Sequence, residues 1–377
     1  MPCRAQQLHD LGQSVWLDYI HRRELRSGVF AAQIRDQGVL GVTSNPTIFQ
    51  QAIGLGSDYD DAIRKGLARG LAGVPLFEAI AIEDVQAACD ALLPAFQETG
   101  GLDGRVSLEV NPRLAHDTAG TIAEARRLRA AADRPNVMIK VPATPEGLPA
   151  IRALTAEGLC VNVTLIFSLA RYEQVMEAYL SGLERLAAQG RPLAPIVSVA
   201  SFFVSRVDTK VDAAIGQRLE ALAAGAAERV ELEDLRGQAA VANAKLAYAR
   251  FREVFGAPRF QALAARGARV QRPLWASTST KNPAYKDTLY VDELIGPDTV
   301  NTLPPKTLAA YNDHGVLDPR LLRGVDEARA LFRRLPELGV PVDALIGQLE
   351  EEGVTAFAKS IESLLATLEE KRARMAG

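Results

Sequence analysis

Lys140 lies in the middle of an apolar, strand-like run, VMIKVPATPEG (137–147). An ammonium in that setting loses its hydration, and no neighbouring carboxylate in the sequence compensates it. That favours the neutral amine, a nucleophile. Lysine is scarce in this chain, supplying nine of the 43 basic residues, with arginine supplying the rest. Arginine cannot shed its proton, so a lysine in a buried strand is the residue type that covalent chemistry on a carbonyl needs. The competing reading is a lysine at a strand end that snorkels to water. What surrounds Lys140 decides between them.

The elements that must position it follow from periodicity. Short apolar runs alternate with longer segments of helical spacing, the pattern of repeated β/α units. Eight strands are expected at 14–20, 39–45, 105–110, 136–142, 160–167, 195–201, 272–278 and 298–304, the last having the weakest pattern. Helices are expected at 78–98, 117–133, 168–188, 206–225, 237–255, 321–336 and 341–374. No glycine-rich dinucleotide turn follows the first strand, which favours an α/β fold of the (β/α)8 TIM-barrel type over an open doubly wound sheet. The expectation is a single domain over residues 1–377, with two or three helices between strands 6 and 7. The helices within 315–377 are expected to pack back on the barrel.

Alternate residues of a barrel strand face the axis or the helical shell. Around Lys140, the apolar residues Ile139 and Val141 take the outward parity. The same alternation turns Asp18 inward from strand 1, Ser107 and Glu109 from strand 3, and Asn162 and Thr164 from strand 5, with Val161, Val163 and Leu165 outward. Asn45 shares the parity of Thr43 at the end of strand 2. Polar groups thus recur on the inner face near the C-terminal strand ends, where barrel enzymes carry their chemistry.

Each residue also has a plain structural reading. Asp18 could cap the next helix, and Asn45 could open the turn before Pro46. Glu109 could pair with a buried arginine, and Thr164 is an ordinary strand residue. One inward amine, two inward carboxylates and a hydroxyl on nearby strands are not explained together by those readings.

Composition narrows the class. With 48% hydrophobic and 24% charged residues and a formal charge of −3, the chain reads as globular, with no polybasic stripe for nucleic acid. Cys3, Cys89 and Cys160 are odd in number and irregularly spaced, which signals neither a disulfide framework nor a zinc site. No signal-peptide pattern and no membrane-length apolar run is present, so the expectation is a cytoplasmic protein without nucleic-acid or membrane partners.

The segments GVTSNPTIF (41–49), IKVPATPEGLPAI (139–151) and CVNVTLIFS (160–168), in this order, closely resemble the transaldolase family, Schiff-base enzymes of the pentose phosphate pathway. The resemblance runs from strand 1 to at least residue 306. It implies that Lys140 forms the Schiff base, that Asp18 is the acid/base carboxylate, and that Glu109 and Thr164 orient and hold a catalytic water. Asn45 and Asn162 match asparagines that contact substrate or intermediate. VASFFVSR (199–206) resembles the family segment that brings Ser201, Phe203 and Arg206 to the site. After strand 7 the chain departs from a common family pattern: in place of a short Ser-x-Arg it reads WASTSTKNPAY (275–285). Ser277 keeps its place there, and Lys281 stands in for the arginine, the alternative being a solvated loop lysine.

The resemblance further implies transfer of a dihydroxyacetone unit from sedoheptulose 7-phosphate to glyceraldehyde 3-phosphate, giving erythrose 4-phosphate and fructose 6-phosphate. It implies sugar-phosphate substrates, no cofactor, no metal and a monomer or homodimer. The four histidines, His9, His21, His116 and His314, fall outside the motifs and are expected at the surface or in packing roles. A barrel reduced to sugar-phosphate binding or scaffolding is the reading from another class. It predicts substitutions at the chemistry, and none is visible at Lys140, Asp18, Glu109 or Thr164.

Overall fold

The computed structural model describes residues 2–376. Eight parallel strands close into a barrel in sequence order: β1 (Gln13–Leu17), β2 (Val39–Thr43), β3 (Arg105–Glu109), β4 (Val137–Pro142), β5 (Val161–Ile166), β6 (Ser198–Phe203), β7 (Gln271–Ala276) and β8 (Thr299–Leu303). The fold is a single (β/α)8 TIM barrel. Closure comes from β8 pairing with β1 over five residues, Gln13↔Thr299 to Leu17↔Leu303, so the strand with the weakest sequence pattern is fully formed. Its ladder is completed by neighbours on both sides, which a local pattern does not reveal.

Three expectations change. β6 begins at Ser198, three residues later than expected, and runs on to Phe203. Between β6 and β7 lie four helices, Ser205–Ala221, Glu228–Asp234, Ala239–Gly256 and Pro258–Ala264, rather than two or three. Leu165 does not take an outward place in a regular strand. Val163 pairs with Ala200 and Ile166 with Phe202, so β5 carries one extra residue. That extra residue, Leu165, has φ +60. This bulge sends its side chain against Gly353 of the C-terminal helix Val342–Ala376.

The N-terminal end of the barrel is plugged by polar groups. Arg272 on β7 meets Asp103 at 2.8 Å, and Ser14 and the Trp16 indole also donate to that carboxylate, at 2.7 and 3.0 Å. Burial pushes Asp103 upward, but Arg272 and these donors outweigh it and hold the carboxyl below the usual range. Gly41 on β2 is needed here, because a Cβ would lie 2.5 Å from the Trp16 ring. The arginine–carboxylate pair weighed for Glu109 therefore exists, but between Asp103 and Arg272.

The last two helices pack on the barrel through apolar stripes. In Val325–Glu337 the buried residues are Ala328, Leu331 and Leu335, one helical face. In the C-terminal helix the stripe includes Val354, Phe357, Ile361, Leu364 and Leu368, and it crosses the C-terminal mouth of the barrel. No helix among the described residues is long and apolar enough to cross a membrane.

Candidate active site

Register brings the amine and its first partner together. Glu109 and Lys140 are opposite each other across β3 and β4. In a parallel pair, residues in register on one face are neighbours, and Lys140 Nζ lies 3.1 Å from Glu109 Oε2. Both side chains are about nineteen-twentieths buried, at 5% and 6% exposure, so Lys140 does not snorkel. The carboxylate absent from its local sequence comes from the next strand. Nζ also donates to the Ser44 carbonyl at 3.3 Å. Burial pushes Glu109 above the usual carboxylate range, with Asp18 adding to the rise and Lys140 pulling against it. A carboxylate so raised is more basic than an exposed one, and it stands within hydrogen-bond reach of Nζ.

Asp18 follows the end of β1 and lines the same cavity as Lys140. It does not cap the next helix; His21 does, its Nδ1 accepting from Arg23 N at 3.1 Å. Asp18 Oδ1 instead accepts from Thr43 Oγ1 at 2.8 Å. Burial pushes its carboxyl upward, opposed by Lys140, the Thr43 hydrogen bond and Lys281. Thr164 lines the cavity too, and its buried hydroxyl has no partner among the described residues. A buried hydroxyl without a partner is costly unless it serves something that binds there.

Asn45 and Asn162 come out differently. Asn45 caps the helix Pro46–Gly54, its Oδ1 accepting from Ile48 N at 2.9 Å, and it also lines the cavity. One side chain thus both caps a helix and borders the cavity. Asn162 lies beneath the wall instead. Its Nδ2 donates to Ser107 Oγ at 2.9 Å and its Oδ1 accepts from Ser201 Oγ at 2.7 Å. Fully buried, it braces β3, β5 and β6 beside Lys140, its register partner on β4.

Ser201, Phe203, Arg206, Ser277 and Lys281 all line the cavity. Arg206 makes no hydrogen bond or ion pair with the described residues; its Cζ stands 5.4 Å from the Phe203 ring centroid. Ser277 has φ +56, a conformation disfavoured for a residue with a side chain, and its Oγ meets Ser205 Oγ at 2.9 Å. That contact ties the end of β7 to the helix carrying Arg206. Tyr285 and Tyr290, which flank the rest of this loop, donate to Asp212 and Asp208 of the same helix at 2.6 and 2.7 Å. Burial pushes Asp208 up to about 6. Lys281 sits at the exposed rim and donates to Ser279 at 2.8 Å. Partial desolvation and then Arg206 lower its pKa, while Asp18 works against them.

Sequence reasoning missed Thr43, Lys306 and Phe357 on this wall. The inward parity of Thr43 was a usable signal. Phe357 had none, since it arrives from the C-terminal helix, more than 200 residues beyond Lys140. Of the histidines, His116 and His314 are exposed, while His9 and His21 are partly or largely buried, and none lines the cavity. Among the described residues, no group of three or more His, Cys, Asp or Glu side chains converges as metal ligands would.

The chain matches the family described as Transaldolase/Fructose-6-phosphate aldolase over residues 15–368. It is 53% identical over 361 residues to a protein of Thermobifida fusca (strain YX) named Transaldolase, covering 96% of each chain. It is 51% identical over 371 residues to the Transaldolase of Parafrankia sp. (strain EAN1pec), covering 97% of this chain and 98% of that one. To the Transaldolase 1 of Streptomyces coelicolor it is 51% identical over 364 residues, covering 96% and 93%.

Proposed function

Because this chain belongs to the transaldolase/fructose-6-phosphate aldolase family, we propose that it is a transaldolase working through a Schiff base on Lys140. The reaction transfers a dihydroxyacetone unit from sedoheptulose 7-phosphate to glyceraldehyde 3-phosphate, giving erythrose 4-phosphate and fructose 6-phosphate. The observation that carries this reading is the buried Lys140–Glu109 pair at 3.1 Å, with Asp18 and Thr164 on the cavity wall that Lys140 shares.

The chemistry follows from those groups. Glu109 accepts a proton from Lys140, and the free amine adds to the ketone carbon. One proton passes from the added nitrogen to the alkoxide through a water oriented by the Thr164 hydroxyl, and the proton held by Glu109 then goes to the resulting carbinolamine hydroxyl, which leaves as water and gives the iminium. The Asp18 carboxylate takes the proton of the C4 hydroxyl, the C3–C4 bond breaks, and its electrons pass into the iminium. An aldose phosphate departs and a three-carbon enamine stays on Nζ. Attack of the enamine on the acceptor aldehyde, with Asp18 returning its proton to the new alkoxide, gives a new iminium; water then adds to its carbon, the bond to Nζ breaks, and the product ketose leaves with the lysine amine restored. Iminium and enamine handle the charge within the lysine adduct, so the steps written here call on no further group.

Arg206, without a hydrogen bond or ion pair among the described residues, offers a two-pronged guanidinium to the substrate phosphate, and Lys281 adds a second cation across the mouth. Lys281→Ala is expected to raise the Michaelis constant for phosphorylated substrates by roughly 10-fold, as loss of one charged hydrogen bond predicts, while sparing unphosphorylated dihydroxyacetone. Steady-state kinetics on both checks it, and equal effects on both would return Lys281 to the solvated-loop reading.

The test of the reaction is borohydride reduction of the protein with fructose 6-phosphate, followed by intact-mass and peptide mass spectrometry. A reduced three-carbon adduct on Lys140 is the expected result. Folded protein without an adduct would overturn the Schiff-base reading and favour a barrel that only binds sugar phosphates.

A further inference from the structure

Phe357 reaches the reacting nitrogen from outside the barrel's own strands and loops. Its ring is buried, at 5% exposure, and lines the cavity. The ring centroid lies 5.6 Å from Lys140 Nζ and 6.0 Å from Arg206 Cζ. One aromatic side chain thus borders both the nitrogen proposed to form the adduct and the guanidinium proposed to face the phosphate.

The helix carrying Phe357 is fastened over the mouth on several sides. Ser360 shares a hydrogen bond of 2.8 Å with Thr47, itself on the cavity wall. Glu350 takes two hydrogen bonds from Arg171, at 2.8 and 3.2 Å. Glu352 pairs with Lys210, and Lys371 with Asp60 at 2.9 Å. Gly353, one turn before Phe357, lets the helix settle onto the β5 bulge, since a Cβ there would stand 2.9 Å from Leu165. The helix is placed closely enough for its phenyl group to act as a fixed surface.

We propose that Phe357 is the water-excluding roof of the lysine adduct and directs the three-carbon unit to transfer rather than release. The proposal rests on the Schiff-base reading above. The enamine has two fates. Its carbon can attack the acceptor aldehyde, or it can take a proton from water. In the second case the resulting iminium adds water, the bond to Nζ breaks, dihydroxyacetone leaves and the lysine recovers its proton. Water at the nitrogen and the adjacent carbon decides between them. A saturated apolar side chain would keep water away but leave the iminium charge unrelieved. A polar one would relieve the charge and admit water. A phenyl face excludes water and still attracts the cation.

The experiment measures free dihydroxyacetone against transferred product, with fructose 6-phosphate as donor and erythrose 4-phosphate as acceptor, in wild type, Phe357→Ala and Phe357→Leu. Circular dichroism and borohydride trapping on Lys140 accompany each protein. The release-to-transfer ratio is expected to rise roughly 3- to 30-fold in Phe357→Ala, the span of an aromatic–cation contact at a desolvated site, and less in Phe357→Leu. A merely structural role would slow both routes together and leave the ratio alone. An unchanged ratio in folded Phe357→Ala overturns the proposal; if that variant does not fold, Phe357→Gln, whose polar side chain admits water, takes its place, and an unchanged ratio there overturns it. Failure of wild type to trap an adduct on Lys140 would instead strike the Schiff-base reading, so the two failures are distinct.

Discussion

Lys140→Ala is expected to lose turnover by about 10⁴-fold or more, because the covalent route disappears with the amine. The fold should persist. Lys140 is one inward residue of a strand whose ladders to β3 and β5 are made by the backbone. The variant does leave Glu109 buried without its cation, and an unpaired buried carboxylate is costly when ionised. Burial already holds Glu109 above the usual range, so loss of Lys140 should let it bind a proton and stay neutral. The sign follows from linkage. A carboxyl whose folded pKa is raised contributes stability at low pH and loses it as pH rises through the folded value. The variant should therefore be most stable in acid and weaken toward neutral pH relative to wild type. Turnover assays, together with thermal melts across pH, check both halves. Appreciable turnover in the folded variant would remove the mechanism.

Asp18→Asn is expected to slow turnover by roughly 10²- to 10⁴-fold, the range for loss of a positioned general base, while leaving imine formation in place. The amide keeps an oxygen that can accept the Thr43 hydrogen bond now made by Asp18 Oδ1, so the change removes proton chemistry more than geometry. Borohydride trapping with fructose 6-phosphate should still label Lys140 in this variant, which separates it from Lys140→Ala. The pH profile gives a second signature. In the proposed mechanism Asp18 acts as a carboxylate, and burial raises its pKa above the usual range. Wild-type activity should therefore fall with decreasing pH at a point above the ordinary carboxylate region. That acid limb should be flattened in Asp18→Asn. An unchanged turnover number would reassign the base, and an unchanged acid limb would attribute that titration to Glu109.

Much of the candidate site was legible in the sequence, for a specific reason. Strand side chains alternate strictly, so once VMIKVP, CVNVTLIF and RVSLEV are read as strands, the inward set of Lys140, Asn162, Thr164, Ser107 and Glu109 follows. The alternation failed at Leu165, where an inserted residue at positive φ breaks the period, and its own side chain does not announce this. Parity also could not tell depth. Asn162 and Thr164 share a face, yet one is spent on Ser107 and Ser201 while the other opens on the cavity.

Sequence by itself determined the barrel class, the eight strands and the inward set of polar residues, because these depend on local periodicity and on residue type. Tertiary structure alone decided which groups meet. The Lys140–Glu109 contact depends on β3–β4 register, and the buried Asp103–Arg272 pair joins residues 169 positions apart. Phe357 comes to Nζ only because a helix at the far end of the chain folds across the mouth of the barrel. Contacts of that kind are set by how layers pack and by closure of the sheet, and no local pattern of side chains encodes them.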